Sequence, residues 1–256
     1  MSIHIFCGPT LSAEEGCRVL TAAFFPPASH GDIYRATLSP HPPRIIGIID
    51  GAFRTVPAVR HKEILWAMTE GIHVFGAASM GALRASELAD FGMIGVGEIF
   101  QQYHAGTLED DDEVAVDHGP AALGYVALND ALVDIRASLA AAVRMTIITP
   151  AVHDRLVALA KGMFYRLRSY ERLLQEAHRV GLQVDALAEW LPGGRVSQKK
   201  EDGCAMLRRI RDFAASNPPK FKAPFRFEHT EAWEDDRLAA TAGSKLASAG
   251  LHFAGC

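Results

Sequence analysis

The sequence predicts an α/β fold with a mostly parallel sheet flanked by helices and an added C-terminal helical part. Short apolar runs end in glycine-bearing turns, a helix signature follows each run, and the links are short. Successive strands joined through helices pair in parallel, which places helices on both faces of the sheet.

The elements follow in order. "IHIFCG" is a buried strand closed by Gly8-Pro9. "SAEEGCRVLTAAF" is a helix in which the Ser12 hydroxyl caps the first turn and Glu14 and Glu15 favour its positive end. "PPASHGDIYRATLSPHPP" is a surface connection with one short element at 33–36. "RIIGIIDG" is the next buried strand. Pro57 opens the helix "PAVRHKEILWAMTE", and Gly71 ends it where a left-handed residue is wanted. "IHVFGA" is a strand, and a helix runs from Met80 to Ala89. "VGEIFQQYHAG" is helical, and "DDDEVAVDHGP" is an acidic loop running into a short strand. The organisation expected is an α/β core over 1–127, a helical part packed on it over 128–216, and a loosely ordered tail over 217–256. Trp233 and the tail phenylalanines are candidates for docking on a partner.

The net charge of -4 gives no reason to expect nucleic acid or an anionic membrane as a partner. No apolar run reaches the roughly 18–20 residues that span a bilayer. "MSIHIFCGPT" lacks the basic and apolar regions of a secretory leader. Cys7, Cys17, Cys204 and Cys256 fall in no metal-binding spacing, so reduced thiols in the cytoplasm are expected. No cofactor and no metal are expected.

One stretch carries chemistry by its form. In "HVFGAASMGALRASEL" a lone hydroxyl, Ser79, stands between a strand and a helix among small residues. Ala77-x-Ser79-x-Gly81 is close to the G-x-S-x-G nucleophile elbow, with alanine for the first glycine. Small residues are needed because such a turn is crowded, and the N–H groups of the helix start offer an oxyanion site. The plainer reading makes Ser79 a helix cap. Three residues are candidate bases for a serine nucleophile. His61 lies in line with Ala58, Ile64, Leu65 and Met68 on the apolar face of its helix, the place of a core histidine. Lys62 is a quarter-turn away and reads more simply as a solvated lysine. His118 follows a strand and stands beside Asp117. The carboxylates of Asp110, Asp111, Asp112 and Glu113 form a solvated loop, bind a cation, orient a histidine, or meet a basic partner, although no spacing there is specific for a metal. Asp50 ends a buried strand on the side where ligands bind in open α/β sheets, although Asp-Gly is also a common turn. Arg84 holds an anionic substrate or pairs with Glu87. No phosphate-binding glycine motif is present after the first strand, and Cys7 reads as a small buried residue.

Taken in order from Ile5 to Leu139, "FCGPTLS", "IGIIDGAF", "PAVRHKEILWAM", "HVFGAASMGALRASEL", "FGMIGVGEIF" and "LEDDDEVAVDHGP" resemble the TfuA-like family. The resemblance implies a partner of YcaO-type enzymes, which modify ribosomally made peptides, and a link to backbone thioamidation. It implies a sulfur-delivery hydrolase that cleaves the C-terminal thiocarboxylate of a ThiS-like carrier and releases sulfide. The family is also thought to help the YcaO enzyme engage its precursor peptide. On this resemblance Ser79 is the nucleophile, His118, Lys62 or His61 the base, and Arg84 the anion holder. Gly76, Ala78 and Gly81 wall a groove for the carrier tail, with Asp50, Asp111 and Asp112 beside it. A non-catalytic adaptor and a general serine hydrolase are the rival readings. The chain departs from the family pattern at Asp134-Ile135-Arg136, where asparagine stands first in the family; a carboxylate cannot donate the hydrogen bonds of an amide.

Overall fold

The computed structural model describes residues 1–52 and 56–247. Five strands form one parallel sheet in the order β2-β1-β3-β4-β5: β1 (Ile3–Phe6), β2 (Ala23–Phe25), β3 (Ile45–Ile48), β4 (His73–Ala77) and β5 (Ile94–Val96). Every residue of β3 is buried, as a central strand covered on both faces requires. Alternating side chains feed two cores. On one face Ile5, Ile45 and Phe75 meet Met206, Leu207 and Ile210 of α10 (Gln198–Ala215). On the other, Phe6, Ile46, Ile48 and Val74 meet Ile64 and Met68 of α3 (His61–Thr69) and Met80 and Ala85 of α4 (Met80–Leu88).

Several local predictions hold. Ser12 and Glu15 form a reciprocal capping box at the start of α1 (Ala13–Cys17), and Gly71 adopts φ +87° beyond α3. Others are corrected. The first helix stops at Cys17, and β2 takes in the last two residues read as part of it. Pro57 precedes α3 by several residues instead of opening it, because Arg60 and Glu63 make the cap there. β5 was not foreseen. The short strand expected before His118 is a single bridge from His118 to Ala127. Cys7 and Cys204 are free thiols; Cys17 is not, and Cys256 lies outside the described residues.

After the sheet come α5 (Glu98–His104), α6 (Leu132–Arg144), α7 (Pro150–Gly162), α8 (Tyr170–Arg179) and α9 (Asp185–Gly194). α6 to α9 enclose their own core around Leu139, Leu156, Leu173 and Leu187. α10 does not stay with them; it returns to lie on the sheet. The segment 217–247 is also ordered, contrary to the expected loose tail, and its end lies outside the described residues. Phe221 donates to Gly71 O, and α11 (Glu231–Ala247) follows. Trp233 is buried against Tyr34 and Trp66, with ring centroids 5.4 and 5.7 Å away. Aromatic residues that seemed available to a partner thus cover the protein's own surface. No helix among the described residues is long and apolar enough to cross a membrane.

Three helices begin without a capping side chain of their own and take one from another helix. Gly31 precedes α2 (Asp32–Thr37), and the buried carboxylate of Glu63 accepts from the N–H groups of Gly31, Ile33 and Tyr34 at 3.1–3.4 Å. Gly97 precedes α5, and Asp202 accepts from Ile99 N at 2.8 Å. Ser197 precedes α10 without bonding, and Asp134 accepts from Lys199 N at 2.9 Å.

Burial pushes the Glu63 carboxyl up to about 7 against the amides that favour its charge. The folded value lies above the ordinary 4.5, so this residue's contribution is full at low pH and is lost as pH rises through about 7. Thermal melts at pH 5 and pH 8 should therefore differ more for the wild type than for Glu63→Gln. Equal pH responses in the two proteins would contradict this.

Candidate functional site at the carboxyl edge of the sheet

The strand order reverses between β1 and β3, and the carboxyl side of such a reversal is the usual ligand position in open α/β sheets. Asp50 stands at this point and is 1% exposed. Its carboxylate accepts from Gly8 N at 2.8 Å, Thr10 N at 3.0 Å and the Thr10 hydroxyl at 2.5 Å. It therefore fixes the loop after β1, and both of its oxygens are engaged within the chain.

Ser79 follows β4 at the same edge. Ala78 before it holds φ +67°, a strained conformation for a residue with a Cβ. The turn is as crowded as its small residues imply. A Cβ on Gly76 would lie 2.1 Å from Gly81 O, and one on Gly81 would lie 1.8 Å from Ile48 O. Gly76, Ala78 and Gly81 are buried in this packing and do not wall an open groove. Ser79 occupies the N-cap position of α4, yet its side chain makes no capping bond. Its hydroxyl, on a residue 8% exposed, instead points to the carbonyl of Val114 at a long 3.5 Å. The capping role is thus not the one its side chain performs. The helix-start amides offer less than expected as an oxyanion site, because Gly81 N donates to Ile49 O and those of Ala82 and Leu83 to Ser79 O.

The three sequence-predicted bases lie apart from this turn's contacts. His61 is exposed, not on the apolar face; its Nε2 meets Glu87 of α4 at 2.7 Å. Arg84 pairs with the same Glu87 at 2.6 Å and donates to Val59 O. Lys62 donates to Glu228 O and lies over the Phe227 ring, 4.7 Å from its centroid. His118 bonds Gly119 O through Nδ1 at 2.9 Å and meets Tyr125 edge-on.

The acidic run faces inward to the helical part. Asp112 meets Arg168 and Lys161, Glu113 is clamped by both ends of the Arg136 guanidinium at 2.9 Å, and Lys161 also reaches Asp110 at 2.7 Å. Asp111 is exposed. No cluster fit to hold a metal occurs among the described residues.

One group that the sequence did not single out completes the site. Lys199, near the start of α10, is 3% exposed, and its Nζ donates to Val114 O at 2.9 Å. Burial pushes its ammonium down, while Asp50 and Asp134 act in the opposite sense. Burial in turn pushes Asp134 up to about 6 despite the nearby lysine. A cavity of about 710 Å³ between α5, α6 and α10 is lined by Val133, Arg136, Arg144 and Gln198, neighbours in sequence of Asp134 and Lys199 among them.

No curated protein matches the chain. Residues 50–169, which contain Asp50, the Ser79 turn, the acidic run and Arg168, match the family model described as TfuA-like protein, the family that the sequence resembles.

Proposed function

We propose that this chain is a cytoplasmic hydrolase that releases sulfide from the C-terminal thiocarboxylate of a ThiS-like carrier, for thioamidation of a ribosomal peptide by a YcaO-type partner. The observation that carries a catalytic reading is Ser79: a nearly buried hydroxyl at a strained strand-to-helix turn that does not cap its helix. The match to the TfuA-like family model supports a YcaO-type partner in general, and the substrate follows from the resemblance. A covered hydroxyl suits a narrow Gly-Gly tail.

In this reading Ser79 Oγ gives its proton to a base and bonds to the thiocarboxylate carbon. The C–S bond then breaks, and the departing sulfide takes that proton. Water cleaves the Ser79 ester and leaves the carrier as a carboxylate. The net change is one thiocarboxylate and one water to one carboxylate and one hydrogen sulfide.

Ser79→Ala should reduce sulfide release from a thiocarboxylated carrier by about a thousandfold or more, as loss of a nucleophile does. Its melting temperature should stay near that of the wild type, since no capping bond is removed. A fully active Ser79→Ala protein would end the nucleophile reading. Turnover of a chromogenic ester instead of the thiocarboxylate would favour a general serine hydrolase.

A non-catalytic adaptor role has its own support. Leu123, Val126 and Leu128 are each at least 60% exposed along one loop, which suits contact with a partner such as the YcaO protein. Replacing them by serine should weaken stimulation of that partner while leaving sulfide release unchanged.

A further inference from the structure

We infer that Lys199 is the base that takes the proton of Ser79. The inference rests on the nucleophile reading above and adds a residue beyond the span matched by the family model. The two side chains come from distant segments and converge on one atom: Ser79 Oγ at 3.5 Å and Lys199 Nζ at 2.9 Å share the carbonyl oxygen of Val114.

The bonding of Nζ points the same way. An ammonium has three protons to donate, and among the described residues Val114 O is the single acceptor that Nζ meets. The nearby carboxylates are engaged elsewhere. Asp50 holds Gly8 and Thr10, and Asp134 accepts from the Lys199 main chain. No carboxylate among the described residues forms an ion pair with Nζ. A lysine kept dry with one neutral partner favours its uncharged amine, and an amine has the lone pair that a general base needs. Burial supplies this tendency and the charges of Asp50 and Asp134 moderate it. The step moves one proton from Oγ to Nζ as Oγ bonds to the substrate carbon. Nζ returns the proton to the leaving sulfide.

The test is the rate at which a small fluorophosphonate modifies Ser79, located by peptide mass, in the wild type, Ser79→Ala, Lys199→Met, Lys199→Arg and Lys199→Ala. This probe reads activation of the hydroxyl whatever the natural substrate is, so its result is separable from that of the thiocarboxylate assay. The wild type should be modified at Ser79, and Lys199→Met and Lys199→Arg at least about 100-fold more slowly, the low end of what general bases contribute. Methionine fills similar space without a charge, which guards against a folding failure; thermal melts check this. Added ethylamine should restore Lys199→Ala about tenfold, to roughly a tenth of the wild-type rate if the loss is about 100-fold. Equal rates in the wild type and Lys199→Met would overturn the role of Lys199 alone. An unmodified Ser79 in the wild type would overturn the nucleophile reading with it. Slowed variants with no amine rescue would make Lys199 structural and also overturn the inference.

Discussion

Arg168→Ala should lower the unfolding free energy by about 2–5 kcal/mol, the range for truncating a large buried side chain and leaving its acceptors short of donors. The Arg168 side chain is fully buried and every arm of its guanidinium is used. Nε donates to Ala160 O at 3.0 Å, Nη1 to Asp112 O at 2.9 Å, and Nη2 to Asp112 Oδ2 and Met163 O at 2.9 and 3.2 Å. Alanine would leave three carbonyls and a carboxylate short of donors, together with a cavity. Burial pushes the Asp112 carboxyl up, but Arg168 and Lys161 more than offset this and hold it below its usual range. Its contribution is therefore present above the ordinary carboxylate value and lost as pH falls. Urea titrations at pH 7 measure the effect, and the wild type and Arg168→Ala should converge on acidification. A loss below about 1 kcal/mol, the scale of an exposed pair, would show that the network is only a surface feature.

Gly81→Ala should be at least as damaging. The added methyl carbon would lie 1.8 Å from Ile48 O and 2.6 Å from the Ile48 carbonyl carbon. Both are backbone atoms of a central strand, so no side chain can swing aside. Overpacking a core typically costs about 1–3 kcal/mol, and this contact belongs above that range because α4 itself must lift off β3. The expected result is little or no folded protein. Gly162→Ala is the control: it ends α7, nothing lies within 4 Å of an added Cβ, and its effect should be neutral or slightly stabilising. Melts and soluble yield of the two variants decide the matter. Comparable stability would mean that the turn relaxes more freely than its geometry implies.

What the sequence made legible was local. The isoleucine run of β3, the Ser12–Glu15 box and the small residues around Ser79 each signal their structure within a few positions. β2 and β5 escaped because "AFF" and "IGV" are too short to show a period. They are strands because β1 and β4 offer them edges to pair with. The tail was misjudged for a related reason. Phe221, Phe225, Phe227 and Trp233 recur without a helical or strand period, yet each finds a ring of the core domain to meet.

The candidate site was half visible. Ser79 and Asp50 stand at strand ends, where sequence reasoning looks for ligands. Lys199 sits in "SQKKEDG", which reads as the wet start of a helix. Its burial comes from α10 lying across the sheet, a fact of topology. One signal was available: Lys199, Asp202 and Met206 share a helical face with a plainly apolar continuation. Glu63 and Asp134 were opaque for a different reason, since they bond main-chain amides of other helices and no side-chain spacing reveals such a partner.

The borrowed caps tie the protein's parts into one cooperative unit. α2 needs Glu63 from α3, α5 needs Asp202 from α10, and α10 needs Asp134 from α6. One of these dependences, that of α5 on Asp202, runs from the C-terminal half into the sheet domain. A fragment cut near residue 128 would keep Ser79 but lose the cap of α5, the cover of one sheet face and the lysine at its edge. Segments 1–127 and 50–169 are therefore not modules that could be lifted out, fused or exchanged between proteins. In a recombination experiment the exchangeable piece is the run from β1 through α11, whose Trp233 packs on Tyr34 and Trp66.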